Sequence, residues 1–212
     1  MGHPVLVEVK MKLLDLFCCA GGAAMGYHKA GFEVIGVDID PQPNYPFSFI
    51  KADAVAWLEF WGHEFDVIHA SPPCQRFSAM QHMHKNKEDH PDYITPIRKL
   101  LLESGKPFVI ENVVGAPLRV DLMLCGTMFG LPIAKHRIFE SNVPMPLLTK
   151  VCKHENLYDR FHGGEMARGE REKNSAAHEI DWFMTRQEVR EAIPPAYTEF
   201  IGKIILEYME TQ

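Results

Sequence analysis

Cys74 closes the segment Phe65-Asp66-Val67-Ile68-His69-Ala70-Ser71-Pro72-Pro73-Cys74-Gln75. Phe65 to Ala70 is a short apolar run ended by two prolines, which lack the N–H that a sheet ladder needs. The thiol is therefore expected at the carboxyl end of a strand, on a loop whose proline φ angles are fixed. Ligands bind at that edge of an open α/β sheet. A lone cysteine is often a buried structural thiol, but core cysteines are rarely mounted on a stiff loop tip. Cys74 is read as a nucleophile. Glu111 ends another apolar run, Phe108 to Val114, at the corresponding edge, and beside Cys74 it is read as an active-site acid rather than exposed rim. A basic cluster, Ala134-Lys135-His136-Arg137, offers charge for a phosphate or a carbonyl oxygen.

These residues need strands and helices to bring them together. Met11 to Phe17 reads as a strand running into Cys18-Cys19-Ala20-Gly21-Gly22, where small residues let a backbone approach a ligand closely. A helix over 23–30 and a strand over 32–37 follow, ending at Asp38-Ile39-Asp40. A glycine-bearing turn with an acid about 20 residues on suits a nucleoside ribose. With no full GxGxxG and no phosphate clamp, an adenosyl ligand fits better than a dinucleotide. Asp53, after a strand over 47–51, is a partner for an adenine amine, the N-cap of a helix over 54–60, or both.

Further strands are expected over 108–114, 123–125 and 136–141, and helices over 93–104, 184–192 and 196–209. The long polar stretch 76–91 has the length of a lid. Residues 1–142 are taken as the catalytic core, 143–178 as a small recognition segment rich in Arg160, His162, Arg168, Arg171 and Lys173, and 179–212 as helices completing the core. Cys152, His154 and His162 have zinc-ligand chemistry, but no fourth ligand is evident, so no metal centre is expected.

The chain has 212 residues, 46% of them hydrophobic and 24% charged, as in a soluble globular protein. No apolar run has the roughly 18–20 residues of a membrane span, and no membrane partner is expected. Five irregularly spaced cysteines make a poor disulfide framework and point to a reducing, cytoplasmic compartment. A net charge of −6 argues mildly against general affinity for polyanions, so a nucleic-acid enzyme of this charge would gather its basic residues on one face.

Alternating strand–turn–helix units imply a doubly wound α/β sheet. Asp15-Leu16-Phe17…Gly21-Gly22…Gly26, then Ser71-Pro72-Pro73-Cys74-Gln75, then Glu111-Asn112-Val113, in that order, resemble the cytosine carbon-5 DNA methyltransferase family. The resemblance implies a Rossmann-like fold and S-adenosylmethionine held by Phe17, Cys18, Cys19, Gly21, Gly22, Asp38, Ile39, Asp53, Ala54, Ser71 and Pro73. It implies that Cys74 attacks carbon 6 of a cytosine flipped from duplex DNA, that Glu111 serves ring nitrogen 3, and that Lys135 and Arg137 bind the base carbonyl and nearby backbone. Gln75, Arg76, Ser78, Asn112, Arg160 and Arg168 would meet DNA. Short members of this kind occur in bacteriophages, so a monomer in a bacterial or phage-infected cell is expected. Two alternatives stand beside this reading: the same chemistry on RNA or with a modified donor, and a catalytically silent DNA- or cofactor-binding subunit.

The departures are specific. Cys19 stands where the family's turn has its first glycine, Ile133 where a glutamine is usual, and Lys135 where an arginine is usual. Residues 190–195 replace a Gly-Asn element expected before the last proline pair.

Overall fold

The computed structural model describes residues 10–73, 91–148, 151–154 and 171–212. Seven strands form one sheet: β1 (Lys12–Leu16), β2 (Glu33–Asp38), β3 (Ser48–Lys51), β4 (Val67–Ala70), β5 (Phe108–Asn112), β6 (Leu122–Leu124) and β7 (Arg137–Ser141). Their order is β3-β2-β1-β4-β5-β7-β6. The pairs among the first five are parallel, whereas β7 runs antiparallel to both β5 and β6. The fold is a doubly wound, Rossmann-like α/β sheet. Its strand order reverses between β1 and β4, and a crevice opens at such a point.

The two-residue period of a strand sends successive side chains to opposite layers. In β1, Leu13 packs with α1 (Gly22–Ala30) and α6 (Pro195–Glu210), through Tyr27, Tyr197, Ile201 and Ile205. Leu14 and Leu16 face the other way, onto Leu58 of α2 (Ala54–Trp61) and Ile97 and Leu101 of α3 (Ile94–Ser104). Both layers are apolar, which accounts for the near-continuous hydrophobic runs of the central strands.

Helix ends follow local chemistry. Asp53 accepts the Ala56 N–H at 2.9 Å and caps α2. A reciprocal capping box between Thr185 and Glu188 starts α5 (Arg186–Glu191). Arg98 of α3 grips the buried Glu140 of β7 with two hydrogen bonds of 2.8 and 2.7 Å, tying that helix to the antiparallel strand.

Within the stretch expected to be poorly periodic, α4 (Arg171–Ala177) is helical, and Ala177 is buried against Leu131 and Ile133. Gly22 and Gly26 are small because α6 and its entry crowd them. A Cβ on Gly22 would lie 2.5 Å from the Ile193 carbonyl oxygen, and one on Gly26 would lie 2.1 Å from that of Pro195. Among the described residues no helix is long and apolar enough to cross a membrane.

Candidate active site

The carboxyl ends of β1, β2, β4 and β5, together with the start of β7, open on a cleft of about 1760 Å³. A pocket for one small ligand measures roughly 300–1,000 Å³, so this cleft exceeds the size that one such ligand needs. Fourteen of the expected site residues line it: Phe17, Cys18, Cys19, Gly22, Asp38, Ile39, Asp53, Ala54, Ser71, Pro73, Glu111, Asn112, Lys135 and Arg137. Gly21 shapes the turn instead, with a φ of 87° that only glycine adopts freely. Cys74, Gln75, Arg76, Ser78, Arg160 and Arg168 lie outside the described residues, as does the expected lid apart from Pro91.

The turn after β1 is held open by backbone that L-residues disfavour. Phe17 has φ 57° and Cys19 φ 44°, so the side chain that replaces the family's glycine sits in left-handed backbone. Asp38 fixes this turn: one carboxylate oxygen accepts the Cys19 N–H at 3.1 Å, the other that of Asp40 at 3.0 Å. Each oxygen keeps further acceptor capacity, which suits ligand hydroxyls. Burial pushes the Cys18 and Cys19 thiols well above their ordinary range, so neither is an available nucleophile. Phe17 packs against Tyr93, their ring centroids 5.7 Å apart, and the exposed Ile39 faces the same space.

A chain of buried polar groups leads to the acid. The Tyr27 hydroxyl lies 3.0 Å from His69 Nδ1, and His69 Nε2 lies 2.9 Å from Ser71 Oγ. Ser71 in turn lies close enough to Glu111 to favour its ionised form. Burial lowers the His69 pKa to about 3, so its ring is neutral and has one donor and one acceptor. When Glu111 is ionised, every donor can point the same way: Tyr27 to His69, His69 to Ser71, Ser71 to the carboxylate. Protonating Glu111 allows the whole chain to reverse.

Burial raises the Glu111 pKa, opposed by Arg137, Ser71 and Lys135 in decreasing order. Arg137 Nε is 2.9 Å from Glu111 Oε1. That contact is an ion pair without hydrogen-bond alignment, since the same oxygen has no hydrogen-bond partner. The acid is thus buried, paired and poised toward its protonated form.

The other expected partners divide. Asn112 turns its amide onto the Pro72 carbonyl at 2.9 Å and accepts the Val113 N–H, so it anchors the proline loop. Lys135 Nζ donates to the carbonyls of Arg190 and Ala192 at 2.7 and 2.5 Å, at the carboxyl end of α5. Lys135 thereby tethers the stretch 190–195, whose Ala192 and Ile193 form one wall of the cleft.

Sequence reading passed over Asp15, His69, Tyr27 and Tyr93. Asp15 is fully buried, and burial raises its pKa to about 8, with the Tyr45 hydroxyl opposing and nearby Asp38 adding to the rise. The available signal was a titratable residue inside an apolar strand, as in Lys12-Leu13-Leu14-Asp15-Leu16 and Val67-Ile68-His69-Ala70.

A switch-point cleft, a tight turn after the first strand and acids after the next two define the class of open α/β ligand-binding proteins. Within that class the chain belongs to the C-5 cytosine-specific DNA methylase family, whose family model matches residues 11–117. The type II methyltransferase M.AgeI of Thalassovita gelatinovora is 28% identical over 121 residues, covering 50% of this chain and 28% of that protein. M.AplI of Arthrospira platensis is 29% identical over 161 residues, covering 63% of this chain and 46% of its own length. The chain thus matches less than half the length of these curated relatives. Among solved structures, a DNMT2 protein of Spodoptera frugiperda aligns with a TM-score of 0.46 at 18% identity, covering 68% of this chain and 54% of that one.

Proposed function

We propose that this chain methylates carbon 5 of cytosine in DNA, acting as a monomer in the cytoplasm of a bacterial or phage-infected cell. The observation that carries the reading is the meeting, on one sheet edge, of the Phe17–Gly22 turn, Asp38, Asp53, the Ser71–Pro73 loop and the buried Glu111. Asp38 and Asp53 offer acceptors spaced across the cleft, the turn offers close backbone, and Phe17 and Ile39 offer apolar cover. These residues fit S-adenosylmethionine, which when bound supplies an electrophilic methyl group.

The chain's own residues must make the cytosine a nucleophile. Cys74 follows Pro73 directly, so its thiolate is assigned to bond carbon 6, while the electrons of the ring double bond shift toward carbon 5. Glu111 answers the charge that develops at ring nitrogen 3. Burial shifts this acid toward the protonated form that can serve that atom, and Ser71, His69 and Tyr27 can reorient as the proton leaves. Arg137 limits the rise in that pKa and keeps the carboxyl oriented. After methylation, loss of the carbon 5 proton returns two electrons to the ring, and the carbon–sulfur bond breaks to release the thiolate. A base stacked in duplex cannot reach such a buried acid, so flipping is part of the reading.

The test is to incubate the protein with unmodified genomic DNA, and separately with RNA, in the presence of S-adenosylmethionine. Nucleosides are then analysed by mass spectrometry. Expected is 5-methylcytosine in the DNA arm, absent with Cys74→Ser. Methylation confined to RNA, or undiminished in the variant, would overturn the substrate or the nucleophile respectively.

A further inference from the structure

Away from the acid and the cofactor turn, four side chains converge that the proposed chemistry does not use. Cys125 follows β6, His136 precedes β7, and Cys152 and His154 lie on the segment beyond β7. One ligand atom from each can be chosen so that all four lie within 4.8 Å of one another. Cys125 Sγ is 3.5 Å from His154 Nε2, and Cys152 Sγ is 3.5 Å from His136 Nε2. The two imidazoles stand edge to face, with centroids 5.0 Å apart and an interplanar angle of 80°.

We infer that these four residues form a structural zinc site. Zinc takes cysteine sulfur at about 2.3 Å and histidine nitrogen at about 2.0–2.1 Å, so a tetrahedron built on those bonds has sulfur–nitrogen edges of about 3.5–3.6 Å. Both recorded sulfur–nitrogen separations match that edge. Two thiolates cancel the charge of the ion, and two neutral imidazoles complete the set. Four protein ligands leave no open position, which marks a structural rather than a catalytic centre. Tetrahedral sulfur and nitrogen ligation also disfavours magnesium, calcium and manganese.

The surrounding contacts suit ligation. Thr127 Oγ1 lies 3.4 Å from Cys125 Sγ, where a hydroxyl can donate to a bound thiolate. The backbone at Ala134 lies beside the His136 ring, where an outer contact can fix a ligating imidazole. The ion would join three pieces of chain: the end of β6, the entry to β7 and residues 152–154. His136 lies between Lys135 and Arg137, so the same clamp would steady the wall that carries the Glu111 ion pair. The expectation of no metal centre grouped Cys152 and His154 with His162, which lies outside the described residues. The fold supplies Cys125 and His136 instead.

The test uses the full chain, purified without chelators from zinc-supplemented cells. Elemental analysis by mass spectrometry should find about one zinc per chain. Protein stripped with a chelator and given cobalt(II) should show the strong visible bands of a tetrahedral site and thiolate-to-metal charge transfer. Cys152→Ser and His154→Ala alter the less buried ligands, and their folding is checked by circular dichroism. Each should lower cobalt affinity at least about 100-fold, beyond the 10–100-fold that loss of an outer-shell partner costs. Wild-type protein without zinc and with only the weak bands of octahedral cobalt would overturn the site. So would a Cys125–Cys152 disulfide found by peptide mapping of unreduced protein, or variants that retain full affinity.

Discussion

His69 sits in the middle of the sheet with both ring nitrogens engaged, and its neutrality makes the chain from Tyr27 to Glu111 possible. His69→Phe keeps the volume but strands the fully buried Tyr27 hydroxyl, and an unsatisfied buried group costs about 1–3 kcal/mol. Urea denaturation should report that loss. Asp15 tests the opposite case, a carboxyl carried into the fold protonated. Its pKa stands near 8 folded against 3.8 as the ordinary value. Unfolding above the lower value releases a proton, so stability is fully present below 3.8 and is lost as the pH rises through 8. Asp15→Asn is neutral at every pH. Its stability relative to wild type should therefore rise between about pH 4 and about pH 8 and level off above; a difference independent of pH would refute the raised pKa.

At the scale of elements, the β1–α1 turn carries a side chain where its backbone favours none. Left-handed backbone costs an L-residue about 1–2 kcal/mol, so Cys19→Gly should stabilise the protein by about 1 kcal/mol in denaturant titrations. Cys19 donates only its backbone N–H to Asp38, and glycine keeps that bond. The α1–α6 contact allows no such change. A Cβ at Gly26 would stand 2.1 Å from both the Pro195 oxygen and Thr198 Oγ1. Gly26→Ala must push the helices apart, and overpacking costs about 1–3 kcal/mol or more. A Tm equal to wild type would show the interface to be softer than its distances imply.

For the whole molecule, the cleft is walled by chain-distant pieces: the β1 turn on one side, α5 and the stretch 190–195 on another. Trp182 Nε1 donates to the Ala20 carbonyl at 3.0 Å, and Ala20 packs with Met184, Val189 and Ala192, so the carboxyl-terminal part closes over the turn. A ligand bound there clamps both ends of the chain. S-adenosylhomocysteine at about 100 times its Kd should add about 2.7 kcal/mol, roughly 5–10 °C in Tm for a chain of this size. No shift in a thermal melt would sink the cofactor reading.

What the sequence determined by itself was local. Apolar runs placed the strands, the double proline ended β4, Asp53 capped its helix, and the order of the motifs identified the family. Such signals are carried by residues adjacent in the chain or at fixed spacing, where period and backbone chemistry act directly. What the tertiary structure decided was which distant residues meet. Lys135, legible in the sequence only as part of a basic cluster, reaches the carbonyls at the end of α5, 55 and 57 residues away. Tyr27 meets His69 across 42 residues because α1 packs on the face that His69 shares with Leu13 and Val67. Cys125 and His136 join Cys152 and His154 only because β7 returns antiparallel beside β6. No spacing in the chain encodes those meetings. They follow from how the layers pack, and burial in those layers then sets the charge each group carries.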